Sequence, residues 1–313
     1  MEQSKKGTIG YGALFLSALV LLSVYLAQTV GTAKELNEHG FSSVHADYRY
    51  HFMVDIGYPH TALEEELLRG MQEGADAHGI VLEVNGYNSS YNSLASDFAT
   101  WAGFTNPDAV IVGYPVGREG MERCRNVAGC TVYNGSGEGD FLYVGPDNYA
   151  QGAALAKRLA ETCAEDQIKI CLLYTEMDDG GRLRGFLDGI RGREGLTVTE
   201  TYKSESGILN GMGAAEEVLL SDQRPDCFVC LDETLLTGAV RAVVDLNQVD
   251  GISVCGIGMS DEIARYIKNG LVDFSMDAEA YMIGKTAVEQ LYAYLQKESE
   301  AGDVYTEFRL TGE

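Results

Sequence analysis

The stretch DDGGRLRGFLDGI, residues 178–190, places two acids and two glycines ahead of a helical repeat. Leu183, Phe186, Leu187 and Ile190 recur at i, i+3, i+4 and i+7, one apolar face of a helix. Arg182 therefore falls in the first turn, where the backbone dipole disfavours a cation by roughly 0.3–1 kcal/mol. A guanidinium in that place either pairs with Asp178 or Asp179, or points into a cleft and holds an anionic or hydroxyl-rich group. Its planar fork of donors suits the second task, and Gly180 and Gly181 let a ligand approach the backbone closely. On that reading, removing Arg182 weakens binding and leaves folding intact.

Signatures of catalysis are missing. The chain has no G-x-S-x-G elbow, no H-E-x-x-H, no G-x-x-x-x-G-K phosphate cradle and no G-x-G-x-x-G opening a helix. Acid pairs such as Asp178 and Asp179 have no base or nucleophile in a recognisable arrangement. The sequence points to no enzyme, no catalytic residue, no metal and no cofactor. Of seven cysteines, Cys171, Cys227, Cys230 and Cys255 fall in apolar strand-like runs and read as small buried hydrophobes. The CFVC pair has no second pair to complete a zinc site. Cys124 and Cys130, on either side of a short turn, are the best placed for a disulfide.

Charge narrows the partners. A formal net charge of −24 repels a phosphate backbone, which excludes nucleic acid as a partner of the globular part. The N-terminus is a separate unit, with Lys5 and Lys6 preceding an uncharged stretch from Thr8 to Val30. That length matches the ~20 residues needed to cross a bilayer, and the lysines put the bulk of the chain outside the cytoplasm. Residues 8–30 are thus expected to sit in the lipid bilayer as a single-pass anchor in the cell membrane. Small residues at Gly31-Thr32-Ala33 also suit cleavage of a leader, but the length favours an anchor.

The elements that position Arg182 follow from apolar patterning. Beyond a polar connector over 34–48, continuous apolar strands alternate with amphipathic helices, the pattern of a parallel sheet covered on both faces. Thr61 and Glu64 make a capping box that starts the first helix, and Gly79, Gly103 and Gly129 are read as helix ends. The pattern restarts at DFLYVG and closes on a last strand, VYTEFRL. The expected fold class is α/β, with two doubly wound parallel-sheet lobes joined by a hinge behind a transmembrane helix. The expected boundaries are 1–33 for the anchor and 34–48 for the connector. Residues 49–146 with 279–303 form the first lobe, and 147–278 with 304–313 the second.

Ligands in such sheets bind beyond the carboxyl ends of the strands. That selects Tyr58, Pro59, His60, Thr61, Tyr87, Asn88, Tyr114, Asn134 and Ser136 in the first half. In the second half it selects 176–182, Asp232, Glu233, Met259, Asp277 and Glu279. Tyr58, Tyr87 and Tyr114 can stack on a sugar-like face or be half-buried packing. His60 is a ligand contact or a loop residue with its hydrogen bonds satisfied.

Over about residues 49–313 the chain resembles the ribose/galactose-type periplasmic binding proteins, the two-lobed module that lactose-repressor-like regulators also use. The resemblance rests on four segments in order: YVGPDNYAQGAALAKRLA, RLRGF, FVCLDETLLTGAVRAV and VCGIGMSDEIARYIKNGLVDFSMDAEAYMIGKTAVEQL. It implies that Arg182, the first Arg of the family's R-x-x-G-F, reaches sugar hydroxyls or a carboxylate across the cleft. It implies a small polar ligand, a carbohydrate or a solute like one, held by Tyr58, His60, Thr61, Tyr87, Tyr114, Asn134, Arg182, Asp232 and Asp277. It implies a membrane partner, either the permease of an ABC-type importer or a sensor such as a histidine kinase or chemoreceptor. The chain also departs from the family pattern. Ser136-Gly137 replaces the usual Asp-Arg pair, Leu231 the Asn before Asp232, Gly258 an Asp, and Ala278 a Gln, which argues against an ordinary ribose-like pentose. A regulator of this fold needs a basic helix-turn-helix at its N-terminus, and an apolar span stands there instead.

Overall fold

The computed structural model describes residues 48–56, 61–85, 98, 100–114, 124, 127–134, 141–162, 167–175, 180–222, 224–298 and 302–312. The apolar stretch 8–30 lies outside them. Among the described residues no helix is long and apolar enough to cross a membrane.

The first half builds β1 (Tyr50–Asp55), α1 (Ala62–His78), β2 (Ile80–Asn85), β3 (Ala109–Val112), β4 (Ala128–Val132) and β5 (Leu142–Pro146). A further helical segment ends at Thr105. The second half holds α2 (Asn148–Thr162), β6 (Ile168–Tyr174), α3 (Gly181–Ile190), β7 (Leu196–Lys203), α4 (Ile208–Leu219), β8 (Cys227–Cys230) and α5 (Glu233–Asp245). It continues through β9 (Ser253–Ile257), α6 (Asp261–Lys268) and β10 (Phe274–Asp277), and α7 (Ala280–Leu295), β11 (Val304–Thr306) and β12 (Arg309–Thr311) close the chain.

Two six-stranded sheets result, in the orders β2-β1-β3-β4-β5-β11 and β7-β6-β8-β9-β10-β12. Every pairing is parallel except β10 with β12. Both sheets reverse direction beside their first strand, at β1/β3 and at β6/β8, and those switch points open crevices at the carboxyl edges. The expected single last strand is two. Val304–Thr306 pairs with β5 of the first sheet and Arg309–Thr311 with β10 of the second. Residues 304–306 thus belong with the first lobe, where the sequence reading put them in the second. Phe308, between the two strands, packs against the second lobe's core and fixes the crossing.

Side-chain alternation explains how each sheet is buried on both faces. Phe52 and Val54 of β1 meet Leu67 and Met71 of α1 and Ile283, Val288 and Leu291 of α7. Met53 points the other way, towards Phe98, Val110 and Phe141. Each such side chain contributes about 1.5–3 kcal/mol through removal from water. Of the three glycines read as helix ends, Gly79 is one, in the left-handed region at φ 65°. Gly103 lies inside a helix and Gly129 inside β4. Strand packing decides at Gly129, because a Cβ there would strike the Phe141 ring.

α2 and α3 carry the second lobe's side of the site. They cross at Gly152 and Gly185, where a methyl group would collide with the carbonyl oxygens of Arg182 and Tyr149 respectively. The G-F of R-x-x-G-F is thereby explained in packing terms. Gly185 lets the helices touch, and Phe186, 0% exposed, fills the core beneath.

Candidate functional site

Arg182 sits where the two lobes meet. Gly180, in the left-handed region at φ 76°, is the residue that precedes the first turn of α3. The Arg182 side chain is only 2% exposed. Its Nε donates to Oε1 of Gln151 at 3.0 Å and its Nη1 to Oδ1 of Asn134 at 2.9 Å. The guanidinium lies over the Tyr133 ring, 4.4 Å from its centroid, a favourable cation–π arrangement. Tyr133 itself has φ 56°, a region that costs a non-glycine residue about 1–3 kcal/mol. Its carbonyl accepts from the Tyr143 hydroxyl at 3.1 Å and from Asn148 Nδ2 at 3.5 Å, which helps to hold it there. One element from each lobe and the α2 crossover therefore converge on a single cation.

Beside this junction a cavity of about 40 Å³ is lined by Ile56 and Gly113 from one switch point and by Asp232, Glu233 and Thr234 from the other. Asn134, Tyr133, Thr61 and Glu64 also line it. A wider groove of about 810 Å³ shares Thr61, Glu233 and Thr234 with it and runs past the first turns of α4 and α6.

Thr61, Glu64, Asp232, Glu233 and Thr234 are placed by helix starts. The Thr61 amide donates to Glu64 Oε2 at 2.8 Å, and Thr61 Oγ1 accepts from the Glu64 amide at 3.2 Å, the capping box read from the sequence. Asp232 caps α5, its Oδ1 accepting from the amides of Thr234 at 2.9 Å and Leu235 at 3.1 Å and from the Thr234 hydroxyl at 2.5 Å. Glu233, next in line, leans on Gly258, whose φ of 121° and missing Cβ make room for it.

The electrostatics of this cleft are acidic. Glu64 and Glu233 are each 8% exposed. Burial first, and then Glu233, Asp232 and Asp55, push the Glu64 carboxyl up to about 8, against the pull of the Thr61 amide. Burial, Asp232 and Asp277 push Glu233 up to about 8, while Ser260 and the Leu63 amide hold it back. A carboxylic acid shifted this far is present largely as its neutral form at pH 7.

The sequence-derived residues divide. Tyr58, His60 and Tyr87, with Pro59, Asn88, Ser136 and 176–179, lie outside the described residues. Thr61, Asn134, Asp232 and Glu233 line the cavity, and Arg182 backs it through Asn134. Asp277 does not line the cavity but acts on Glu233 by charge, and it orders the return to the first lobe by accepting from the Glu279 amide at 2.8 Å. Tyr114 is a correction. It is 0% exposed, packed among Met53, Val110 and Val112, with its hydroxyl donating to Asp55 Oδ2 at 3.0 Å, so it presents no face for stacking. Glu64, Tyr133 and Gln151 were not picked out as site residues. Only Glu64 had a signal, and the capping box accounted for it fully.

Six cysteines fall among the described residues. Cys124 and Cys130, read as disulfide candidates, are both free and buried, as are Cys171, Cys227, Cys230 and Cys255. Burial pushes the Cys130, Cys171 and Cys230 thiols up, away from the reactive thiolate. Among the described residues no group of His, Cys, Asp and Glu could hold a metal ion.

Comparison with known proteins agrees with this architecture. Solved structures share the fold. A glucose-galactose binding protein, GanP, from Geobacillus stearothermophilus superposes with a TM-score of 0.77 at 19% identity, over 84% of this chain and 97% of its own. The periplasmic component of an ABC-type sugar transport system from Hahella chejuensis gives 0.79 at 18% identity, over 84% and 100%. A chain of the XylFII–LytSN complex gives 0.76 at 16%, over 84% and 97%. No curated protein matches the sequence. The family model described as "Periplasmic binding protein domain" matches residues 130–299, more than half of the chain, and the protein belongs to that family.

Proposed function

We propose that the protein is a membrane-tethered, extracytoplasmic solute-binding protein that captures a small polar, sugar-like ligand between its lobes. The lobes close by a hinge movement, and the closed form is presented to the permease of an ABC-type importer. The observation that carries this is the placement of Asn134 and Thr61 of one lobe opposite Asp232, Glu233 and Thr234 of the other, around one cavity at both switch points. Similarity to a glucose-galactose binding protein and to a sugar transport component supports a carbohydrate class. The uncharged stretch 8–30, with Lys5 and Lys6 before it, supports tethering to the outer face of the membrane. Similarity to binding and transport components rather than to enzymes supports binding over turnover.

A second reading is favoured by the similarity to a chain of the XylFII–LytSN complex. Here the closed form is presented to a membrane histidine kinase or chemoreceptor. Neighbouring genes discriminate the two, permease and ATPase subunits against a kinase and response regulator. Isothermal titration of the full chain against sugars, polyols and related solutes tests the shared core of both. Saturable heat from at least one compound is expected, and its absence with folded protein overturns the reading.

A further inference from the structure

We propose that the cleft selects a solute carrying an amine together with hydroxyls, the ammonium seated between Glu64 and Glu233. This rests on the reading of the cleft as the solute site and names the class of solute that it takes. The small cavity is lined by three carboxyls, Glu64, Asp232 and Glu233, and by no lysine, arginine or histidine among the described residues. Arg182 is engaged outside it with Asn134, Gln151 and the Tyr133 ring.

Glu233 supplies the observation that points to a ligand. It is 8% exposed, lines both the cavity and the groove, and its Oε2 has no hydrogen-bond partner among the described residues. A buried carboxyl oxygen left in that state carries a large desolvation cost. Glu64 faces it from the opposite lobe and interacts with it electrostatically, so closure brings two acids together in a poorly solvated space. Two protons or one cation relieve the repulsion. Beside a neutral sugar the two carboxyls keep their protons at pH 7, whereas an ammonium takes the place of those protons, supplying charge and strong charge-assisted donors to the ionised acids.

The geometry also favours an organic cation over a metal, because among the described residues no three acidic, histidine or cysteine side chains converge on one point. The groove beyond Glu233 then offers hydroxyls at Thr234, Thr237 and Ser260 and the amide of Asn210 to the rest of the solute. The departures from the sugar pattern are consistent with this. Gly258, in place of an acid, makes the room that Glu233 occupies.

The test titrates the full chain in detergent with D-galactosamine and D-glucosamine. The comparison set is D-galactose, D-glucose and the two N-acetylated amino sugars, which keep the bulk and lose the charge. At least one free amine is expected to bind tenfold or more tighter than its neutral and N-acetyl counterparts. Glu233→Gln and Glu64→Gln, each nearly isosteric, are expected to erase that preference while keeping the circular dichroism of the parent. Neutral sugars binding as tightly as the amines overturns the inference and leaves the sugar-binding reading standing. A preference unchanged in both variants also overturns it, and no heat from any compound overturns both.

Discussion

Nη1 of Arg182 donates to Oδ1 of Asn134 at 2.9 Å, and this bond ties the start of α3 in one lobe to the end of β4 in the other. The first-turn arginine is thus not an open hand in solvent. It is a buried brace across the lobes, and its dipole penalty is offset by two side-chain acceptors and an aromatic face.

Arg182→Ala is therefore expected to lower stability as well as ligand affinity. Gln151 loses a donor in a buried setting, which costs about 1–3 kcal/mol for a group left unmatched, and half-buried Asn134 loses another. Urea unfolding reads the first effect and titration calorimetry the second. Phe186→Ala, a pure core truncation, should cost ~3–5 kcal/mol of stability and leave affinity nearly unchanged. Unaltered stability in Arg182→Ala contradicts the brace.

Gly185→Ala should separate α2 from α3, since the added methyl group meets the Tyr149 carbonyl. Overpacking of that kind costs about 1–3 kcal/mol. Gly103→Ala is the control. It lies in a helix with open space around it, and there alanine should stabilise by about 0.5–1 kcal/mol. Equal melting temperatures for the two variants would show that the close crossing is not energetically significant.

Stability should fall as pH rises from about 5 to about 8. Glu64 and Glu233 ordinarily ionise near 4.5, and in the folded chain each is pushed up to about 8. Between those values the folded form binds more protons than the unfolded one, so raising the pH favours unfolding. The charged groups that act on them, Asp55 from β1, Asp232 before α5 and Asp277 from β10, are all acidic and act in the same direction, opposed only in part by hydrogen bonds from Thr61, Ser260 and the Leu63 amide. Glu233→Gln and Glu64→Gln, which hold the neutral form at every pH, should flatten the decline seen by scanning calorimetry. A decline of the same steepness in both variants would refute the assignment.

Much of the fold was legible in local pattern. Period-two and period-3.6 apolar repeats are short-range signals, and they located the strands, the capping box at Thr61 and Glu64, and the buried face of α3. Where the pattern erred, a distant contact had decided. VYTEFRL looks like one strand, yet its ends pair with β5 and β10 in different sheets. Gly129 looks like a helix end, yet the Phe141 ring claims the space in front of it.

The candidate site was legible only by address. The carboxyl-edge rule selected Thr61, Asn134, Arg182, Asp232 and Glu233, which do gather at the lobe junction, and also Tyr114, which turns into the core. Direction from the sheet edge depends on which face packs first, and no spacing encodes that. The sequence by itself determined an acidic, two-lobed α/β chain of the periplasmic binding type, because hydrophobic period, caps and motif order are properties of neighbouring residues. Only the tertiary structure decided that Arg182 is a buried brace and that Glu64 and Glu233 face each other across the cleft. Burial, desolvation and charge repulsion arise between groups that the chain brings together only when its lobes meet.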